Sequence, residues 1–314
     1  MLLKKILPLI LSTCVFCLSG TVDAAKKFSP PILTAEFDQM DFPQLYPTYS
    51  WEPLPNTEFY QVQVVKVDTN KVVRKLLNSE ALNRVTDWTP FTEPGEYFWQ
   101  VRVIDKKNKP LSDWSDKKFF TINAPVTFAV LGDSISHGGA AYIPAGQLSC
   151  QWETYSDVPI KNLARSGDTT QMMIDRFDND VLPFKPKVLL IMAGVNDIRE
   201  GSSSDDVIKN LQTLRDKCQA NNITPVFCTV TSMNPELIHK RGIPLTDGDW
   251  LTVRKKINAW IMQTPYFVDV TAGLEDDNGY LKSSLTPDGL HPALRGKKII
   301  GETIAEYLKT KFAL

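Results

Sequence analysis

The chain has 314 residues, 43% of them hydrophobic and 23% charged, long enough for two domains or one large one and ordinary for a globular protein with real cores. A formal net charge of −1, with no basic stripe and no long acidic tail, excludes the electrostatic footprint of a nucleic-acid binder.

Lys4 and Lys5 precede an apolar run from Ile6 to Leu18, followed by Ser19, Gly20 and the small-residue pattern Val22-Asp23-Ala24. These are the three parts of a cleavable secretory signal, and the run is short for a bilayer span. Residues 1–24 are expected to be removed after Ala24, leaving a secreted or periplasmic protein. A lipoprotein reading through Cys14 is weaker, because Thr13 is a poor residue before it. Cys14 and Cys17 have redox or metal spacing but lie in the segment to be removed. Of the remaining Cys150, Cys218 and Cys228, at least one must stay unpaired. Free buried thiols are expected in preference to a Cys218–Cys228 bridge.

Residues 25–124 read as an all-β sandwich. In "YQVQVVKV" Tyr60, Val62 and Val64 share one face, with Gln61 and Gln63 on the other. In "YFWQVRVID" Tyr97, Trp99, Val101 and Val103 do the same. Such alternation marks half-buried strands, and Pro53, Pro55, Pro94 and Gly95 punctuate them. The stretches "YSWEPLP", "YQVQVV", "PGEYFWQVRVID" and "LSDWS" resemble a fibronectin type III (immunoglobulin-like) module. That resemblance implies a core position for Trp51 and a tyrosine-corner role for Tyr97. Trp88 and Trp114 are either core or edge packing, the expected reading, or a sugar-binding platform.

After Ala124-Pro125 the pattern changes. Strand-like runs "VTFAVLG", "VPIKNLA", "KVLLIMAG", "TPVFCTV" and "YFVDVT" alternate with helix-like stretches in 202–222, 249–263 and 291–312. This predicts α/β architecture with a mostly parallel sheet over residues 125–314. Each half is expected to have its own core and to fold separately. Ligands of such sheets bind beyond the carboxyl ends of the strands. There the chain places Gly132-Asp133-Ser134, Arg165-Ser166-Gly167-Asp168 and Gly194-Val195-Asn196-Asp197, with "TPDGLHP" near the C-terminus.

A serine nucleophile needs an adjacent base. The chain has three histidines, His137, His239 and His291, and only His291 has a carboxylate, Asp288, three residues before it. Asp288 could accept from Nδ1–H and leave Nε2 for Ser134. The backbone N–H groups of Ser134 and Gly167 and the side-chain amide of Asn196 are candidate oxyanion donors.

The blocks "GDSIS", "NLARSGDTT", "GVND" and "DGLH" resemble, in order, those of the SGNH or GDSL hydrolase superfamily. The resemblance covers residues 126–314. It implies a flavodoxin-like three-layer α/β/α domain with Ser134, Asp288 and His291 as catalytic triad and Ser134, Gly167 and Asn196 as oxyanion hole. No cofactor and no metal are implied, and neither a G-x-S-x-G elbow nor a zinc spacing is present.

Other residues carry weaker expectations. Asp133 and Asp197 read as structural loop carboxylates. His137 and His239 read as loop histidines, with a substrate contact as the second option for His137. Arg165 and Asp168 flank Gly167 and either shape the site or do not. Tyr142, Trp152 and Tyr155 either line an acyl or sugar pocket or pack.

The sequence therefore predicts a secreted serine esterase acting on short-chain acyl esters, such as O-acetyl groups on carbohydrate. Its partner would be an acylated small molecule or a polysaccharide. The sandwich offers a second contact, with polysaccharide or the cell envelope. A lysophospholipase or thioesterase is the alternative within the class. A non-catalytic surface-binding protein on a hydrolase fold is the alternative outside it.

Overall fold

A computed structural model describes residues 27–57, 59–78, 83–138, 145–246 and 248–313. The expected signal segment and Tyr142 lie outside the described residues.

The first part of the chain forms two antiparallel sheets. Strands β1 (Thr48–Ser50), β2 (Tyr60–Lys66), β3 (Lys71–Asn78), β4 (Arg84–Thr86), β5 (Gly95–Val103) and β6 (Lys118–Ile122) follow one another. They pair as β1-β4 and as β3-β2-β5-β6. The alternation in the sequence becomes burial: Tyr60, Val62 and Val64 of β2 and Tyr97, Trp99, Val101 and Val103 of β5 are all buried. Phe37, Tyr49, Trp99 and Phe120 close that core through edge and stacked ring contacts at 5.1–6.2 Å. Trp51 is fully buried, and the Tyr97 hydroxyl donates to the Glu93 carbonyl at 2.9 Å.

The second part alternates strand and helix. It runs through β7 (Phe128–Gly132), α1 (Ser134–His137), β8 (Ile160–Asn162), α2 (Thr170–Asp180), β9 (Val188–Met192), α3 (Val195–Arg199) and α4 (Ser204–Ala220). It ends with β10 (Thr224–Cys228), α5 (Pro235–Lys240), α6 (Trp250–Ile261), β11 (Phe267–Val268) and α7 (Leu294–Phe312). The sheet order β11-β10-β9-β7-β8 is parallel throughout, the flavodoxin-type order with its reversal between β7 and β9. Every residue of β7 and β9 is buried, so both faces of the sheet are covered, as the continuous apolar runs require. Helix α4 starts at a Ser203 cap bonded to the Asp206 N–H and buries Val207, Leu211, Leu214 and Cys218, the stripe its 3.6 periodicity predicts. Cys150, Cys218 and Cys228 are free and buried. The last strand is shorter than its apolar run, only Phe267 and Val268.

The two halves do not have separate cores. A contiguous apolar cluster runs from Phe37, Tyr49 and Trp99 to the β7 and β9 residues. The segment 43–46 lies against the edge strand β8 and the end of α2. There the Leu45 N–H donates to the Asn162 carbonyl at 3.0 Å, the buried Lys161 ammonium donates to the Pro43 carbonyl, and the Tyr46 hydroxyl donates to Asp180. Buried polar groups of the α/β sheet are thus satisfied by the N-terminal part of the chain. Removing the N-terminal part would break these bonds and uncover the apolar surface shared with it.

Candidate active site

Strand β7 delivers Ser134 to the carboxyl edge of the sheet. Asp133 is the N-cap of α1, in extended conformation, and its Oδ1 accepts from the Ile135 N–H at 2.9 Å. The strand therefore turns into the helix at Ser134, which stays partly exposed while its neighbours are buried. Starting a helix leaves its first N–H groups without carbonyl partners, and the Ser134 N–H has no acceptor among the described residues. The fully buried Asp133 carboxyl is pushed up to about 7 by desolvation, against the Ile135 N–H bond that lowers it.

The base comes from the other end of the chain. Ser134 Oγ lies 2.9 Å from His291 Nε2, and His291 Nδ1 lies 2.7 Å from Asp288 Oδ2. A carboxylate accepts, so Nδ1 carries the proton and Nε2 is left to accept from the serine hydroxyl. The loop that holds this pair is built around Asp288. Its Oδ1 accepts the backbone N–H of Leu290 at 2.9 Å and of His291 at 2.8 Å, and the Gly289 N–H donates to Thr286 Oγ1 at 2.8 Å. Burial alone would raise the Asp288 carboxyl. The bonds from the His291 ring and from the two N–H groups outweigh it and hold the group at about 2. Gly289 adopts φ +87°, and a Cβ there would meet the Asn234 carbonyl at 2.5 Å and the Ile238 nitrogen at 2.8 Å. Only glycine lets this loop close against α5. His291 does not cap α7, whose N-cap is Ala293.

The second and third blocks meet at the same edge of the sheet, where the Arg165 N–H donates to the Gly132 carbonyl at the end of β7 at 3.0 Å. Arg165 to Asp168 form a turn closed by the Asp168 N–H and the Arg165 carbonyl at 3.3 Å. Gly167 has φ +88° at the third turn position and open space where a Cβ would stand. A type II turn requires that conformation. The Gly167 N–H has no acceptor among the described residues. Asn196, at the start of α3, donates one amide hydrogen to the Asp168 carbonyl at 2.9 Å, and an amide nitrogen has a second to give. Asp197 accepts from the Thr170 N–H and hydroxyl, tying α3 to α2.

Behind these loops stands Arg176, which the sequence reading missed. Its buried guanidinium bonds Asp168, Asp180, the Leu163 carbonyl and the Gly132 carbonyl, so one side chain clamps the ends of β7 and β8 to the turn that carries Gly167. Asp168 is thereby assigned to shaping the turn. The sequence signal was the i,i+4 pair Arg176 and Asp180 directly after the Gly167 block. Lys297 was missed as well. It is buried on the apolar stripe of α7 with Ile300, Ile304 and Leu308 and donates to the Ile135 carbonyl of α1. Burial pushes Lys297 down and the neighbouring buried Glu153 up.

His137 is not a solvated loop histidine. It is 2% exposed, with Nε2 2.8 Å from the Tyr46 carbonyl and Nδ1 2.8 Å from Ser166 Oγ. A carbonyl only accepts, so Nε2 carries the proton and Nδ1 receives the Ser166 hydroxyl. Burial lowers this imidazole to about 4, so it stays neutral. His239 is exposed in the last turn of α5. Trp152 is fully buried, with Nε1 donating to Ser136 Oγ at 3.2 Å, and so belongs to the core. The Tyr155 hydroxyl donates to the Ser149 carbonyl at 3.0 Å. Trp114 stacks on the Arg102 guanidinium at 4.2 Å. Trp88 remains 49% exposed. Among the described residues no cluster of three or more His, Cys, Asp or Glu side chains is placed to hold a metal ion.

A parallel five-stranded sheet with a serine at the end of its first strand, and a histidine–carboxylate pair brought to it from near the C-terminus, has the layout of a serine hydrolase. The chain belongs to the GDSL-like lipase/acylhydrolase family, whose characteristic pattern matches residues 130–299. It is 25% identical over 203 residues to an N-acylneuraminate cytidylyltransferase of Streptococcus agalactiae serotype III, a stretch covering 63% of this chain and 42% of that one. The chain thus spans less than half the length of the curated relatives it matches. Among solved structures it resembles a GDSL-like lipase from Bacteroides thetaiotaomicron (22% identity, TM-score 0.49, covering 60% of this chain and 89% of that one). It also resembles a lipase/acylhydrolase from Enterococcus faecalis (21% identity, TM-score 0.46, covering 59% and 96%).

Proposed function

We propose that this protein is a secreted serine esterase that removes short acyl groups, such as acetyl, from carbohydrate. The observation that carries the reading is the continuous chain Ser134 Oγ, His291 Nε2, His291 Nδ1, Asp288 Oδ2, with separations of 2.9 and 2.7 Å.

In this mechanism His291 takes the Ser134 proton as Oγ attacks the ester carbonyl. The carbonyl oxygen gains negative charge and is received by the N–H groups of Ser134 and Gly167 and the second amide hydrogen of Asn196. His291 returns the proton to the departing alcohol. Water, deprotonated by His291, then attacks the acyl-Ser134 ester; the C–Oγ bond breaks, His291 returns the proton to Ser134 Oγ, and the acid is freed. Asp288, held ionised, keeps Nδ1 protonated and steadies the imidazolium while it exists. Arg176 acts through the Gly167 turn as a positioning residue.

The N-terminal part, residues 25–124, is read as a fibronectin III-like sandwich. The Tyr97 hydroxyl bond to the backbone four residues upstream and the buried Trp51 support that. Export rests on the Lys4 to Ala24 pattern.

The test is a series of 4-nitrophenyl esters of rising chain length beside an acetylated polysaccharide. The proposal expects turnover of acetate and butyrate, a steep fall toward decanoate, and acetate release from the polymer. A preference for long chains would move the substrate to lipid, and no ester turnover at all would refute the activity.

A further inference from the structure

Trp88 belongs to the N-terminal part of the chain yet stands beside the candidate active site. Its ring centroid is 5.6 Å from that of His137 and 6.1 Å from that of Tyr46, and His137 lies in α1 together with Ser134. The loop around Trp88 is fixed. The Asp87 N–H donates to the Pro47 carbonyl at 2.9 Å, and the Asp87 carboxylate takes Arg74 Nε and the Thr89 N–H, both at 3.0 Å. About half of the Trp88 surface is open nonetheless.

Arg165 completes the feature. Its backbone N–H is pinned to the Gly132 carbonyl at 3.0 Å, two residues before Gly167. Its guanidinium lies over Trp88 and Tyr46, 5.9 and 5.7 Å from the ring centroids. Arg165 is exposed, and among the described residues its side chain has no ion pair and no hydrogen-bond acceptor. The nearby Asp168 carboxylate is occupied by Arg176. A guanidinium steadied on aromatic faces presents its N–H fork already oriented, the arrangement that favours a two-point bond to a carboxylate.

We infer that Trp88 and Arg165 form a subsite for the alcohol part of the substrate, and that this alcohol is a sugar ring bearing a carboxylate. The inference rests on the esterase reading above. A short acyl group has no ring to lay on an indole, so the indole face receives the sugar. The ring's carboxylate then reaches Arg165 while its ester reaches Ser134. On this account the N-terminal part contributes a side chain to substrate recognition, and not only support.

The test compares kcat/KM on monoacetylated methyl glucuronoside and on its neutral counterpart, monoacetylated methyl glucoside, with 4-nitrophenyl acetate as a third substrate. The acidic sugar ester should be preferred about tenfold or more, the scale of a charge-assisted hydrogen bond. Arg165→Gln should bring the ratio of the two sugars to about one, and Trp88→Ala should raise KM for both. Added salt should compress the wild-type ratio and leave that of Arg165→Gln unchanged. A wild-type ratio near one, or a ratio that survives Arg165→Gln, overturns the subsite. Turnover of 4-nitrophenyl acetate with neither sugar ester cleaved overturns it as well and leaves the esterase standing. No turnover of any ester overturns both.

Discussion

His137 Nε2 lies 2.8 Å from the backbone carbonyl of Tyr46, and the same ring receives the Ser166 hydroxyl on Nδ1 at 2.8 Å. One buried imidazole thus joins the N-terminal part of the chain to the turn that presents Gly167. Protonation of Nδ1 leaves the Nε2–H bond to Tyr46 in place but ends the Ser166 bond in its present form, because a cationic ring cannot accept from the Ser166 hydroxyl.

This joint should be visible as a pH dependence of stability. Burial lowers His137 from 6.5 to about 4, so between those values the unfolded chain binds a proton that the folded one does not. Stability should therefore rise with pH across that window and be lost as pH falls from 6.5 toward 4, by on the order of 2–3 kcal/mol for this group. Urea midpoints at pH 7 and pH 5 check it. The wild type should lose more than His137→Gln over that interval, and equal losses would mean that the imidazole is not held neutral.

A chain beginning at Pro125 should not fold as the longer chain does. It keeps the family motifs but loses Pro43, Leu45 and Tyr46, which satisfy Lys161, Asn162 and Asp180. Each lost bond costs roughly 1 kcal/mol, and the apolar surface the two parts share would be opened to water at about 25 cal/mol per Å², enough together to exhaust much of a domain's stability. Calorimetry of the two chains is the check. A cooperative transition at an unchanged temperature in the shorter one would show that the two parts are independent after all.

Replacing Asn196 by alanine should cost roughly 10²–10³ in kcat on an aryl acetate, with a smaller change in KM. The reason is geometric: one amide hydrogen is spent on the Asp168 carbonyl, and the other is free for an oxygen that becomes negative only as the reaction proceeds. An effect confined to KM would place Asn196 in ground-state binding.

Asp288→Asn tests the orienting carboxylate. An amide can keep the contact with His291 but can offer its nitrogen, favouring the tautomer in which Nε2 holds the proton and cannot serve Ser134. kcat should fall by about 10³–10⁴. A loss below tenfold would mean that the pair is only structural.

The parts of this account that were readable from sequence are those written in local periodicity or in contiguous blocks. The period-2 faces of β2 and β5, the apolar stripe of α4 and the polar ends of β7 and β9 follow from side-chain direction alone. Ser134, Gly167, Asn196, Asp288 and His291 stand at strand ends or in turns, where short motifs are informative. What was not legible depends on contacts far apart in the chain. Nothing near His137 indicates that residue 46 would cover it, and a loop histidine and a buried one look alike in sequence. Arg176 and Lys297 were hidden for a related reason: charged side chains are usually outside, and their burial depends on backbone carbonyls that only the assembled fold supplies. For Trp152 the sequence offers no decision, since an aromatic after a nucleophile suits a pocket wall as well as a core, and the structure places it in the core.

The central claim is that Ser134 is a nucleophile activated by His291, and the most direct measurement is covalent capture. The protein is treated with a serine-directed fluorophosphonate and the modified peptide is mapped by mass spectrometry. The account predicts a single stoichiometric label on Ser134, loss of 4-nitrophenyl acetate turnover in step with labelling, and neither labelling nor turnover in a folded Ser134→Ala variant. A label on another serine, or full turnover in Ser134→Ala, would contradict it.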